Sequence, residues 1–183
     1  MKHLILGGAR SGKSRFAQTS AENLVRQSSA QGAGKGGKSL YYIATAQAGD
    51  AEMVRRIARH RNQRGTRWRL CEEPLALAGT LRRLDSPNHC LLVDCLTLWL
   101  SNCLQEGRWD QRRSALLETV DSLSADLLLV SNEVGSGIVP LGELSRRFAD
   151  EAGWLHQELA RRCQRVTLVC AGLPLSLKDD TLP

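Results

Sequence analysis

Residues Gly7 to Ser14 read GGARSGKS, with glycines at 7, 8 and 12, a lysine at 13 and a hydroxyl at 14. The order fits G-x-x-x-x-G-K-[ST], directly after a short apolar run and directly before a stretch of helical period. Glycines let such a backbone curl so that its N–H groups point at phosphate oxygens, with the positive end of the following helix behind them. Lys13 then reaches the β- and γ-phosphates, and the Ser14 hydroxyl can ligate Mg²⁺. A glycine turn with an exposed lysine is the plain alternative, and the flanking strand and helix patterns speak against it.

A loop of this kind usually takes a second Mg²⁺ contact from an acid at the end of a neighbouring strand. HCLLVDC supplies Asp94 at the carboxyl end of an apolar run, the edge at which open α/β sheets place their ligands. Capping the next helix, CLTLWL, is the competing role for that carboxylate. IATAQ puts Thr45 and Gln47 at the same edge, as ligand contacts or as turn residues. Beyond another strand, WRLCEEP offers Glu72 and Glu73 as acceptors for a guanine base or a ribose, or as caps. LLLVSNEVGSGIVP ends in Ser131, Asn132 and Glu133, followed by a loop with Gly135 and Gly137 able to move over a substrate. Turn formation is the alternative there.

The stretch Met53 to Leu70 holds seven arginines and His60 but no acid. At helical spacing Met53, Ile57, His60 and Arg64 share one face, while Arg55, Arg59 and Asn62 point away. A nucleic-acid surface would carry its basic groups outward with aromatics between them, and only Trp68 is available. Nearby positive charge disfavours the protonated imidazole and leaves a nitrogen free to attack phosphorus, while the arginines hold the phosphates. Spacing alone leaves His60 open between that role and a structural one. His3, His89 and His156 have no such setting and read as structural.

These residues need a scaffold, and a chain of 183 residues is long enough for one domain with a single core. Hydrophobic residues at 42% and charged residues at 24% argue against disordered and fibrous classes. A net charge of +6 favours an anionic partner. The apolar runs are too short to span a bilayer and the first residues lack a signal-peptide core, so no integral membrane segment and a cytoplasmic location are expected. Six cysteines without a CxxC pair read as buried free thiols.

Strand-length apolar runs alternate with helical stretches, the pattern of a parallel sheet flanked by helices. Strands are expected at Lys2–Leu6, Leu40–Ala44, Thr66–Cys71, Cys90–Asp94, Leu127–Ser131 and Val166–Ala171. Helices are expected at Lys13–Arg26, Ala51–Arg61 with Asp50 as its cap, Leu75–Leu84, Thr97–Gln105, Gln111–Leu123 and Leu141–Arg162. Arg26 to Leu40, rich in Gly, Ser and Lys, reads as a flexible loop centred on about residues 27–39. The tail LKDDTLP reads as frayed.

In order and spacing, GGARSGKSRFAQ, YYIATAQ, EMVRRIARHRNQRGTRW, EEP, LLVDCLTLWLSN, VSNEVGSGIVP and RFADEAGWLHQELA resemble the bifunctional adenosylcobinamide kinase / adenosylcobinamide-phosphate guanylyltransferases of cobalamin biosynthesis. The resemblance covers nearly the whole chain. It implies a RecA-like P-loop domain that first moves the γ-phosphate of ATP or GTP to the aminopropanol hydroxyl of adenosylcobinamide. GTP then gives its GMP to that phosphate through a GMP-histidine intermediate, releasing pyrophosphate, and the matching histidine is His60. By the same resemblance the nucleotide contacts are Gly7, Gly8, Ala9, Arg10, Ser11, Gly12, Lys13, Ser14, Thr45, Ala46, Gln47, Arg61, Asn62, Gln63, Arg64, Glu72 and Asp94. Lys13 and His60 are the catalytic side chains, and Ser14 and Asp94 are the Mg²⁺ ligands. Homo-oligomers, as trimers, with a corrinoid site near subunit boundaries are also implied. A monofunctional P-loop small-molecule kinase and, less favoured, a nucleotide-gated nucleic-acid-binding protein are the alternatives; the second predicts steeply salt-dependent binding to DNA or RNA.

Overall fold

The computed structural model describes residues 1–30, 37–47 and 67–180. Seven strands form one sheet: β1 (Lys2–Gly7), β2 (Ser39–Ala44), β3 (Trp68–Glu72), β4 (His89–Asp94), β5 (Asp126–Asn132), β6 (Arg165–Cys170) and β7 (Leu173–Asp179). Their order is β3-β2-β4-β5-β1-β6-β7, and every pairing is parallel except β6 with β7. The described helices are α1 (Lys13–Ala30), α2 (Leu77–Arg83), α3 (Leu96–Gln105), α4 (Trp109–Ser122) and α5 (Glu143–Arg162). The mostly parallel, helix-flanked sheet expected from the sequence is therefore the observed architecture.

Unbroken apolar strands follow from covering on both faces. In β1, Leu4 and Leu6 join the cluster under α2, α3, α4 and α5, whereas Ile5 between them joins the cluster under α1 with Ala17 and Ala21. Two-residue periodicity sends neighbours to opposite faces, and both faces are dry. On the four-helix side Trp99 and Trp109 meet edge to face at 5.4 Å between ring centroids. Their indole N–H groups donate to the Leu75 carbonyl and to Glu151, which satisfies the polar atoms that burial would otherwise strand.

Several expectations need correction. Helix α1 continues to Ala30, so the segment expected to loop from Arg26 is helical for its first turn, and β2 begins at Ser39, one residue before the expected Leu40. Residues 31–36 lie outside the described residues, as does the helix expected at Ala51–Arg61 with Asp50. The tail is not frayed up to Asp179: Leu177, Lys178 and Asp179 finish β7, a strand the sequence reading did not anticipate. Its signal is short: Ala171 and Gly172, both at positive φ, make a two-residue turn before the alternating Leu173, Leu175 and Leu177. Finally, the thiols are free but not uniformly buried. Cys90, Cys103 and Cys163 are buried, Cys71 and Cys95 are half-buried, and Cys170 is exposed.

Candidate active site

Parallel pairing brings the ends of β1, β2, β3, β4, β5 and β6 to one edge, and the P-loop leaves from the middle of it. Gly7 ends β1 opposite Asn132 of β5. The chain then turns through Arg10 at φ 57° and Gly12 at φ 93° into α1. Ser11 N–H donates to the Gly8 carbonyl at 3.3 Å, and Lys13 Nζ donates to the same carbonyl at 3.1 Å. That folds the lysine back over its own loop, where phosphate oxygens would meet it. Ser11 Oγ is buried without a hydrogen-bond partner among the described residues.

A Cβ on Gly7 would lie 2.5 Å from the Val169 carbonyl, and Gly12 packs on Gly172, whose N–H donates 2.8 Å to the Ser11 carbonyl. The β6–β7 turn therefore buttresses the P-loop from behind. Sequence reasoning missed Gly172 because it ended β6 at Ala171 and saw no hairpin.

Asp94 is the last residue of β4, as expected, but β4 is not the neighbour of β1. Strand β5 lies between them, so the two strands stand roughly 10 Å apart at the usual spacing. Asp94 Oδ2 accepts 2.7 Å from the Tyr42 hydroxyl, which fixes the carboxylate and leaves its other oxygen for a ligand. Thr45 is fully buried; its Oγ1 donates 2.6 Å to the Cys95 carbonyl and accepts 3.0 Å from Cys95 N–H. The Thr45 hydroxyl thus ties the exit of β2 to the exit of β4. Ala46 follows half-buried and Gln47 at the surface. Asn102, not singled out from sequence, clamps the same corner by donating to the carbonyls of Thr45 and Pro74.

Glu72 ends β3 and is exposed at the same edge. Glu73 is used locally: its carboxylate accepts from Leu75 N–H, Ala76 N–H and the Thr80 hydroxyl, which starts α2. His60, Arg61, Asn62, Gln63 and Arg64 lie outside the described residues.

The end of β5 fills the gap between Gly7 and Asp94. Ser131 Oγ lies 2.8 Å from Nε2 of His156 on α5, Asn132 N–H donates 2.7 Å to the Thr97 hydroxyl, and Glu133 N–H donates 3.2 Å to the Gly7 carbonyl. Burial pushes His156 below its ordinary value of 6.5, although the Glu133 charge opposes this. Burial raises Glu133, but hydrogen bonds from Ser136 and Gly135 outweigh it and hold the carboxyl below its ordinary 4.5. The Glu133 carboxylate is thus held on the turn that follows β5, one residue past the strand end that pairs with Gly7. His3 and His89 are remote structural groups, bonded to the Thr167 hydroxyl and the Leu84 carbonyl.

Residues 3–177 match the family described as cobinamide kinase / cobinamide phosphate guanyltransferase. The chain belongs to this family. Both activities go with it, kinase and guanyltransferase. The chain is 57% identical to the bifunctional adenosylcobalamin biosynthesis protein CobP of Pseudomonas aeruginosa, with all of both chains covered. To the bifunctional adenosylcobalamin biosynthesis protein CobU of Escherichia coli it is 35% identical, covering 97% of this chain and all of the relative. A KaiC-like protein of Pyrococcus horikoshii is similar in structure with a TM-score of 0.47 and 15% identity, over 91% of this chain and 69% of that one. For a cobinamide kinase / guanyltransferase the layout is apt: a phosphate loop, a fixed carboxylate two strands away and a polar strand end between them share one edge.

Proposed function

We propose that this chain moves the γ-phosphate of ATP or GTP to the aminopropanol hydroxyl of adenosylcobinamide, and then gives that phosphate the GMP of GTP, releasing pyrophosphate. The observation that carries the reading is the Gly7–Ser14 cradle opposite Asp94, in a chain of this family. Backbone N–H groups from Gly7 to Ser14 and the Lys13 ammonium neutralise the β- and γ-phosphates, so catalysis is mainly positioning and charge stabilisation.

Ser14, in the first turn of α1, and Asp94 are hard oxygen donors that suit Mg²⁺. The fit is supported by the Tyr42 hydrogen bond, which holds one Asp94 oxygen and points the carboxylate. When bound, Mg²⁺ neutralises phosphate charge as the bond to the leaving group breaks. Glu72, Ala46, Gln47 and the backbone of Thr45 line the edge that receives the nucleoside, with Arg61, Asn62, Gln63 and Arg64 contacting its phosphates. His60 attacks the α-phosphorus of GTP, so that guanylyl transfer becomes two in-line displacements. The reading includes a cytoplasmic location and a single catalytic domain that assembles as a homo-oligomer.

The test is intact mass spectrometry at native pH after incubation with GTP and Mg²⁺, with and without cobinamide. A GMP adduct on the wild type and none on His60→Ala is expected. Folded, GTP-binding wild type that carries no adduct under either condition would overturn the histidine intermediate.

A further inference from the structure

Five of the ten exposed large hydrophobic residues among those described fall in one stretch of eleven. They are Val134 at 36%, Ile138 at 98%, Val139 at 72%, Leu141 at 98% and Leu144 at 68% exposed. The run Val134–Gly142, VGSGIVPLG, contains no charged residue. Monomer surfaces rarely gather large apolar side chains at such exposure without a partner.

This run leaves from the end of β5, beside the start of the phosphate loop. Asn132 pairs with Gly7, Glu133 N–H bonds the Gly7 carbonyl, and the apolar residues follow within a few positions. Kinase chemistry requires the acceptor oxygen to lie in line with the γ-phosphorus, at roughly 3–3.5 Å. Whatever carries that hydroxyl must rest on the surface next to the loop. A nucleotide asks for cations; the run has none of its own, and the Arg146 guanidinium beside it is turned onto the Pro140 and Leu141 carbonyls. A corrin macrocycle, with a broad apolar face fringed by neutral amides, asks for uncharged apolar contact and backbone hydrogen bonds, which the run offers.

We propose that the segment from Glu133 to Leu144 is the acceptor side of the kinase site. Ile138, Val139, Leu141 and Leu144 seat the corrin ring, and the Glu133 carboxylate accepts a hydrogen bond from the acceptor hydroxyl and so aims it at the γ-phosphate. Glu133 has the capacity for this. Each of its oxygens already accepts one backbone N–H, from Gly135 and Ser136, and a carboxylate has about four lone-pair positions. The inference rests on the corrinoid being the acceptor, as proposed above.

The test is the double variant Ile138→Gln/Leu141→Gln, whose side chains are almost fully exposed and whose replacement removes no described packing. Its KM for cobinamide in the phosphorylation assay should rise at least tenfold. GTP affinity, GMP labelling by GTP and mass by sedimentation should match the wild type. Glu133→Gln should lower the phosphorylation kcat at least tenfold while retaining cobinamide binding. An unchanged KM in the double variant overturns the seat. So does a changed sedimentation mass that accounts for the KM, which would make the run a contact between copies of this chain. Equilibrium dialysis of cobinamide needs no turnover. Wild type that binds cobinamide through these residues but does not phosphorylate it would overturn the activity and leave the seat standing.

Discussion

The Tyr42 hydroxyl, near the end of β2, donates a 2.7 Å hydrogen bond to Oδ2 of Asp94 at the end of the adjoining strand β4. Tyr42 is itself buried to 2% exposure, so the bond is held by packing as well as by its own energy. It makes the orientation of the proposed metal carboxylate a property of the core.

Tyr42→Phe keeps the ring and removes that donor. A hydrogen bond of this kind contributes about 1 kcal/mol net, so the Mg²⁺ concentration giving half-maximal phosphorylation should rise roughly fivefold, with GTP affinity in the absence of Mg²⁺ unchanged. A Mg²⁺ titration of activity measures it; an unaltered midpoint would remove Tyr42 from the metal site.

The glycines of the phosphate loop should not respond alike. Gly7→Ala forces a Cβ against the Val169 carbonyl and Ser11 Oγ, both at 2.5 Å, whereas nothing lies within 4 Å of a Cβ at Gly8. Overpacking of this sort costs about 1–3 kcal/mol. The nucleotide-free Gly7→Ala protein should therefore melt roughly 2–10 °C lower, and Gly8→Ala should melt with the wild type. Any loss of GTP affinity in Gly8→Ala then reports contact with the nucleotide itself. Equal melting temperatures for the two variants would contradict the observed loop.

Thr45→Val distinguishes a positioning hydroxyl from a ligand contact. The substitution strands Cys95 N–H, whose acceptor is Thr45 Oγ1, at a cost of about 1–3 kcal/mol. Urea unfolding should show that loss, while GTP affinity changes by less than threefold. Full stability with weakened GTP binding would instead give the hydroxyl to the nucleotide.

Stability should fall on mild acidification because of His3. Burial first, then the positive charge of Arg165, lowers its pKa from 6.5 to about 4, against a smaller opposing effect of Asp179. The unfolded chain takes up a proton near pH 6.5 and the folded chain resists it until about pH 4. Stability is thus intact above pH 6.5 and is lost as pH falls from there toward 4, by roughly 3 kcal/mol. His156, also lowered by burial, adds in the same direction. His3→Asn should flatten urea midpoints measured between pH 4.5 and 7, and an unchanged slope would assign the acid sensitivity elsewhere.

Much of this protein is written locally. The glycine, lysine and serine of the phosphate loop, the unbroken apolar strands and most helix ends follow from turn chemistry and periodicity within a few residues, and they were legible for that reason. Asp94 at the end of its strand was legible too. Its distance from the loop was not, because strand order is set by which faces and edges pack, and β5, from more than 30 residues later, intervenes.

Only the tertiary structure separates polar residues that serve the fold from those left to a ligand. Thr45 and Glu73 look alike from sequence to Gln47 and Glu72, yet the first pair is bonded into backbone and the second stands at the surface. Gly172 supports the phosphate loop across 160 positions, and His156 reaches Ser131 across 25. Local sequence fixes which groups are chemically able to act, since propensity and turn geometry are short-range. Which of them face one another at one edge depends on long-range packing, where burial energy rather than spacing decides.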